Sequence, residues 1–229
     1  TIIRGENGQP FPYFFGYKTD GVFQNWGEVY AYTNAEGKLI QPDAQPGDFR
    51  YQDINGDGSI TAEGDRANLG KCVPSWTYGI NASIDWKGID FSMVWQGVAG
   101  NKIFDATRRT DIPTMNQPKY VLNRWTGEGS TNAYPRFTVT DPNQNWSKAS
   151  DFFIKDASYF RLKNVTLGYT LPVNWTNKIF VKKFRVYVAC ENALTFTKYD
   201  GFDPEIADYV DRGIYPQART VQFGANITF

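Results

Sequence analysis

The chain has 229 residues, enough for one large or two modest domains with a sizeable core. Its 24 Lys and Arg balance 24 Asp and Glu, so no basic field exists to hold nucleic acid and no acidic block suggests a solvating tail. It contains no His, which removes the commonest general base, the commonest transition-metal ligand and the usual catalytic triads together.

Aromatic residues make up 17%, mostly Phe and Tyr, which suits strands, membrane interfaces or ligand-stacking loops and argues against disorder. Cys72 and Cys190 lie far apart with no metal or redox spacing; a disulfide between them stays open, and Cys190 reads more simply as a small apolar strand residue. No run approaches the roughly 18–20 apolar residues of a transmembrane helix, and the mean hydropathy of −0.49 looks soluble. Neither fact excludes a barrel, whose strands are half polar. The opening Thr1-Ile2-Ile3-Arg4, without Met or a signal peptide, reads as an internal start.

Residues 1–76 carry no long alternation and read as a loop region, expected outside the cell. Within it, Asp53-Ile54-Asn55-Gly56-Asp57-Gly58-Ser59-Ile60 matches the start of a calcium loop. Asp53, Asn55 and Asp57 offer oxygens at alternate positions, Gly58 permits the sharp turn, and Ser59 supplies the next ligand position. The closing acid is irregular, because the expected position is Gly64, with Glu63 before it and Asp65 after it. Hard oxygen donors suit Ca²⁺ in a structural role above Zn²⁺ or Cu²⁺. The competing reading is an Asx-rich turn held by local hydrogen bonds with no ion.

Five strands follow in the barrel region 77–229. In 77–86, Tyr78, Ile80, Ala82, Ile84 and Trp86 alternate with polar or small residues; after Lys87-Gly88 the pattern restarts with Ile89, Phe91, Met93 and Trp95, a hairpin signal. After a long connection, 98–158, Val165, Leu167, Tyr169 and Leu171 alternate with Asn164, Thr166, Gly168 and Thr170. Arg161 and Lys163 share the apolar parity, so either a bulge lies near Lys163 or that part stands above a bilayer. Phe184, Val186, Val188 and Cys190 mark the fourth strand, and after the connection 197–217 Val221 to Phe229 marks the fifth.

A soluble sandwich also alternates. The beat of connections discriminates: tight at 86–88, long at 98–158, medium at 172–183 and long at 197–217, as in barrels with short periplasmic turns and long extracellular loops. Trp86, Trp175 and Phe229 fall at the short-turn end, where aromatic girdles lie. The triplets at Asn81 and Asn226 fall on strands and read as chance glycosylation motifs.

Several segments resemble the SusC/RagA-like, TonB-dependent transporters. Phe15-Gly16-Tyr17-Lys18-Thr19-Asp20-Gly21-Val22-Phe23-Gln24 resembles their GYxxDGIFQ segment. Pro46-Gly47-Asp48 through Asp57-Gly58, then Asp65-Arg66 and Leu69-Gly70, is similar to their PGDxxYxDxNGDG region. Ala157-Ser158-Tyr159 through Tyr169 is similar to ASYLRLKNLTLGY, and Glu191-Asn192-Ala193-Leu194 precedes Tyr199 and Gly201-Phe202-Asp203-Pro204-Glu205 as in the family. The order is kept over nearly the whole chain.

The resemblance implies an all-β fold, with this chain supplying the last five or so strands of a large antiparallel transmembrane β-barrel with long extracellular loops. It implies a bacterial outer-membrane location, lipid around the barrel, and active import of an oligosaccharide or peptide with no enzyme activity. The implied partners are the plug and remaining strands of the same transporter, a SusD-like surface lipoprotein, and TonB through an N-terminal part not in this chain. It makes Asp65, the Asp of the family's "DR", the closing calcium ligand, and Phe229 the terminal aromatic read by the assembly machinery.

The loops are rich in aromatics. Trp26, Trp125 and Trp146 are the candidates for stacking on substrate sugar rings, against the plainer reading that long loops need a small core or pack on a lid protein. Arg108-Arg109 read as lumen- or partner-facing, or simply solvated. The alternative from another class is a secreted, calcium-stabilised β-domain that binds glycans or a protein partner.

Overall fold

The computed structural model describes residues 1–108 and 116–229. They form two compact units, one from Thr1–Val73, Lys102–Lys155 and Asp208–Arg212, the other from Pro74–Asn101, Asp156–Ala207 and Gly213–Phe229.

The second unit is one antiparallel sheet of five strands. In chain order these are Trp76–Trp86, Ile89–Ala99, Tyr159–Thr170, Lys183–Thr197 and Thr220–Thr228, each bonded to the next. They are the five strands expected from alternation, and at 11, 11, 12, 15 and 9 residues they reach the length that crosses a bilayer at barrel tilt. The first two are joined by Lys87 (φ 49°) and Gly88 (φ 88°), both left-handed, as a two-residue primed hairpin turn requires.

Register sorts the side chains into two faces. Ile84, Phe91, Leu167, Val188 and Phe223 stand directly opposite one another across all five strands. One residue along, Ser83, Ser92, Thr166, Ala189 and Gln222 form the matching row of the other face. The apolar face is open: Ile80, Ile84 and Leu167 are exposed, and Phe223 is 83% exposed. A soluble sandwich would have buried these rows against a second sheet.

The third strand shows how the parity conflict resolves. Both of its pairings shift register between Leu162 and Asn164: Lys163 is an extra residue against the second strand, and against the fourth it lies opposite two, Asn192 and Ala193. This bulge keeps Phe160 and Leu162 on the same face as Val165 and Leu167, and turns Arg161 onto the polar face opposite Gln96 and Thr195. Without it, Arg161 would point at the apolar side.

On the polar face, Arg185 of the fourth strand reaches Asp90 of the second, with Nε donating at 2.8 Å. The pair passes over the third strand at Gly168, where an added Cβ would sit 2.5 Å from both partners. Gly224 leaves room for the Tyr187 ring in the same way. Glycine is needed at these two sites for clearance, not for backbone freedom.

The first unit contains most of the connections 1–76 and 98–158, and it has its own core. A three-stranded sheet pairs Tyr13–Tyr17 with Ile3–Arg4 and Arg66–Lys71; Thr19–Val22 pairs with Phe49–Tyr51; and Val210–Asp211 runs parallel to Lys102–Asp105. A short helix, Trp26–Ala31, starts at Asn25, whose side chain accepts from the Glu28 N–H at 3.0 Å, while Glu28 accepts from the Gln24 N–H at 2.8 Å. This is close to a reciprocal capping box. Val22, Phe49 and Tyr51 form one buried cluster; Val121, Trp146 and Phe153 form another.

Both cysteines are free thiols. Cys72 is buried, and burial pushes its thiol pKa up to about 11, so it is inert; Cys190 sits in the fourth strand opposite Val165 and Val221.

Candidate functional site

The loop 53–65 brings three carboxylates together: one ligand oxygen from each of Asp53, Asp57 and Asp65 lies within 4.8 Å of the others. Local geometry explains how. Gly56 (φ 73°) and Gly58 (φ 81°) turn the chain so that both their N–H groups donate to Asp53, at 2.7 and 2.8 Å. Asp57 accepts from the Asn55 amide and from the N–H and hydroxyl of Ser59. These hydrogen bonds hold the Asp57 carboxyl below the usual carboxylate range. Asp65 is fully buried and accepts from the N–H groups of Ile54 (2.8 Å) and Thr61 (2.6 Å), closing the loop although it lies one residue past the regular position.

Asx turns thus gather three carboxylates at one point. Each carboxylate oxygen has lone pairs beyond those its N–H partners use. Among the described residues none of the three forms an ion pair with Lys or Arg. Three clustered negative charges without a basic partner, all with oxygen donors, fit a hard divalent cation. Asn55 and Ser59 are brought alongside through their bonds to Asp57.

The three tryptophans occupy three different surroundings. Trp26 is 49% exposed on the short helix and stacks on exposed Tyr30 at 5.5 Å. Trp125 packs on the Val22–Phe49–Tyr51 cluster and covers Gly47 so closely that a Cβ there would meet its ring; its indole N–H donates to Gln24 at 3.2 Å. Trp146 is 3% exposed, donates to the Arg136 carbonyl at 2.9 Å, and lies under the Arg108 guanidinium, 4.7 Å from its ring centre. Its burial takes it out of the set that can stack on a ligand. Arg108 is not simply solvated, since it caps Trp146 and Phe137; Arg109 lies outside the described residues.

Two buried polar networks carry more of the architecture than sequence reasoning assigned to them. In the first unit, fully buried Asp48 accepts from Nε and Nη2 of Arg136, the Asn145 amide and the Gln45 N–H. Asn145, Asn143 and Gln41 then bond to the backbone of Phe49 and Tyr51. The motif Pro46-Gly47-Asp48 is thus the hub of a folded loop.

In the second unit Arg161, only 4% exposed, donates to Asp203 (2.8 Å), Glu205 (2.8 Å) and the Thr195 hydroxyl (2.9 Å). The bulge residue Lys163 bonds both oxygens of Glu205. Burial opposes ionisation of Asp203, yet hydrogen bonds from Arg161 and from the N–H groups of Glu205 and Gln217 hold its carboxyl below the usual range. The connection after the fourth strand is clamped to the bulged strand by this cluster.

A five-stranded antiparallel ribbon of bilayer-crossing length, apolar on its open face and polar on the other, defines a segment of a transmembrane β-barrel. No family model matches the chain. Two TonB-dependent receptors of Formosa agariphila are each 30% identical to it, over 244 and 243 residues, covering 100% and 97% of this chain and 23% of their own length. The TonB-dependent receptor SusC of Bacteroides thetaiotaomicron is 27% identical over 235 residues, all of this chain and 21% of its own. The chain therefore spans less than a quarter of the length of these relatives. In solved structures, a chain of the RagAB peptide transporter superposes with a TM-score of 0.74 at 23% identity, and one of the RagAB peptide importer in its 'open-open' state with 0.72 at 22%; both matches cover all of this chain and 24% and 23% of the other. The chain is a segment of the SusC/RagA-like TonB-dependent receptors, proteins of the bacterial outer membrane.

The clamp gives a signed pH dependence. A depressed folded pKa means that its stabilisation is present above the ordinary carboxylate pKa of about 3.9 and is lost as pH falls through the folded value. Hydrogen exchange at the Glu205 and Gln217 amides, corrected for intrinsic rates, is expected to stay protected above about pH 4 and to accelerate below it. Asp203→Ala, which removes one of the two carboxylates that hold buried Arg161 and leaves Glu205 as the other, is expected to cost about 1.5–3 kcal/mol. Protection unchanged by both acid and the substitution would remove the clamp.

Proposed function

We propose that this segment forms part of the wall and surface loops of an active importer that carries oligomeric nutrient, glycan or oligopeptide, across the outer membrane. The observation that carries this reading is the uncovered apolar face of a ribbon whose similarity to TonB-dependent receptors runs along its whole length. Such a face is stable in hydrocarbon and is an aggregation hazard in water, which disfavours the secreted-domain alternative. The two outer edges of the sheet pair with further strands of the same transporter, because open edges within a bilayer leave backbone groups unsatisfied.

Passage is by binding and gated movement, with no bond made or broken. Coupling to TonB and a SusD-like lipoprotein over the mouth belong to the same reading, supported by the receptors and the RagAB complex that the chain resembles. The Asp53–Asp65 loop holds a structural Ca²⁺ through Asp53, Asn55, Asp57, Ser59 and Asp65. Of the three candidate tryptophans Trp26, with Tyr30 beside it, is the best exposed to meet a sugar ring or the lid protein.

Cells lacking the complete transporter are expected to lose uptake of labelled oligosaccharide or oligopeptide while keeping that of the monomers. Collapsing the proton gradient should stop uptake but leave surface binding. Unimpaired oligomer uptake in the deletion strain would end this reading. For the ion, a calcium chelator should speed proteolysis of the complete transporter within 50–66, and added calcium should reverse it. Cleavage indifferent to chelator would leave the Asx-turn reading.

A further inference from the structure

Four aromatic rings stack across the first four strands of the sheet, at the end where the long connections arise. Tyr78 lies 5.7 Å from Phe160, Phe160 4.6 Å from Trp95, and Trp95 6.2 Å from Phe196, with the planes within 30° of parallel in each pair. Register puts Tyr78, Phe160 and Phe196 in one row, and Trp95 in the next with Ile80 and Leu194. The row of three includes Gly97, where a Cβ would collide with the Tyr78 ring, so the missing side chain lets Tyr78 lie across that strand.

This ladder belongs to the apolar face and continues directly from the rows that meet hydrocarbon. A hollow of about 680 Å³ opens over it, lined also by Asp156, Ser158 and Lys198. Lys198 is exposed and forms no ion pair among the described residues. An acyl chain needs only an apolar wall. A saccharide offers C–H faces to flat rings and hydroxyls to a carboxylate, and an ammonium selects an anionic substituent. Greasy wall, ring platform, carboxylate and ammonium in one place fit a molecule that carries all four complements.

We propose that this ladder binds the headgroup of an anionic outer-leaflet glycolipid, its sugar on the exposed Phe196 at the end of the stack, its anionic group at Lys198 and its chains along the face below. The proposal rests on the reading that this face meets lipid. The complete transporter, stripped of native lipid and placed in phosphatidylglycerol nanodiscs, is titrated with purified diphosphoryl lipid A. Saturable binding is expected, weakened by about tenfold or more when Phe196→Leu and Lys198→Ala are combined. Lys198→Ala alone, at an exposed side chain, serves if the pair disturbs folding, which heat-modifiable migration reports. Equal binding by variant and parent, or equal displacement by phosphatidylglycerol, would overturn the proposal. So would a membrane protein cross-linking at position 196 in place of lipid A. A transporter that fails to enter nanodiscs at all overturns the barrel reading, and this site with it.

Discussion

Hydrocarbon on one face of a hydrogen-bonded ribbon is the constraint from which the other features follow. In a bilayer core each unsatisfied backbone polar group costs several kcal/mol, so strands cross only side by side. Five strands in sequential order, each bonded to the next, meet that requirement between neighbours, and the two outer edges need further strands to meet it. The same constraint sets the side-chain period, because a one-residue slip would send Arg161, Asp90 and Arg185 into lipid and Leu167 and Phe223 to the polar side. The bulge at Lys163 keeps the register true through the third strand.

The polar groups are organised by the opposite demand. Two groups of charges withdrawn from solvent are paired and hydrogen-bonded, Arg161 with Asp203 and Glu205, and Arg136 with Asp48. Long connections cannot borrow hydrocarbon as a second layer, so they gather a core from their own aromatics. Trp125 and Trp146 serve that core, and the Asn, Gln and Asp residues around Phe49 satisfy the backbone that such irregular chain leaves unpaired.

The barrel strands were legible because their alternation is long and their turns are short: Tyr78 to Trp86, Ile89 to Trp95 and Val221 to Ile227 each repeat one period without interruption. The Lys163 bulge was legible too, as a parity conflict at Arg161. The strands of the first unit were not. Tyr13–Tyr17 and Phe49–Tyr51 are short and mostly buried on both sides, so they show no period of two. The acidic loop announced itself through Asp-x-Asn-x-Asp-Gly spacing, and the structure shows how Asp65 reaches it from an irregular position. What sequence reasoning missed was the role of Asp48 and Asp203, whose partners Arg136 and Arg161 lie 88 and 42 residues away along the chain. Only the fold brings such partners together. Trp146 could not be assigned from sequence for a related reason: its residue type suits stacking on a sugar as well as a buried core, and burial alone tells them apart.

The most direct test of which face meets lipid is the accessibility of single spin labels in the complete transporter reconstituted in bilayers. Labels at Phe91, Leu167 and Phe223 should relax with dissolved oxygen and be shielded from a water-soluble nickel chelate, while labels at Ser92, Thr166 and Gln222 should not show that oxygen preference. Equal accessibility on the two faces, or the reverse pattern, would contradict the account.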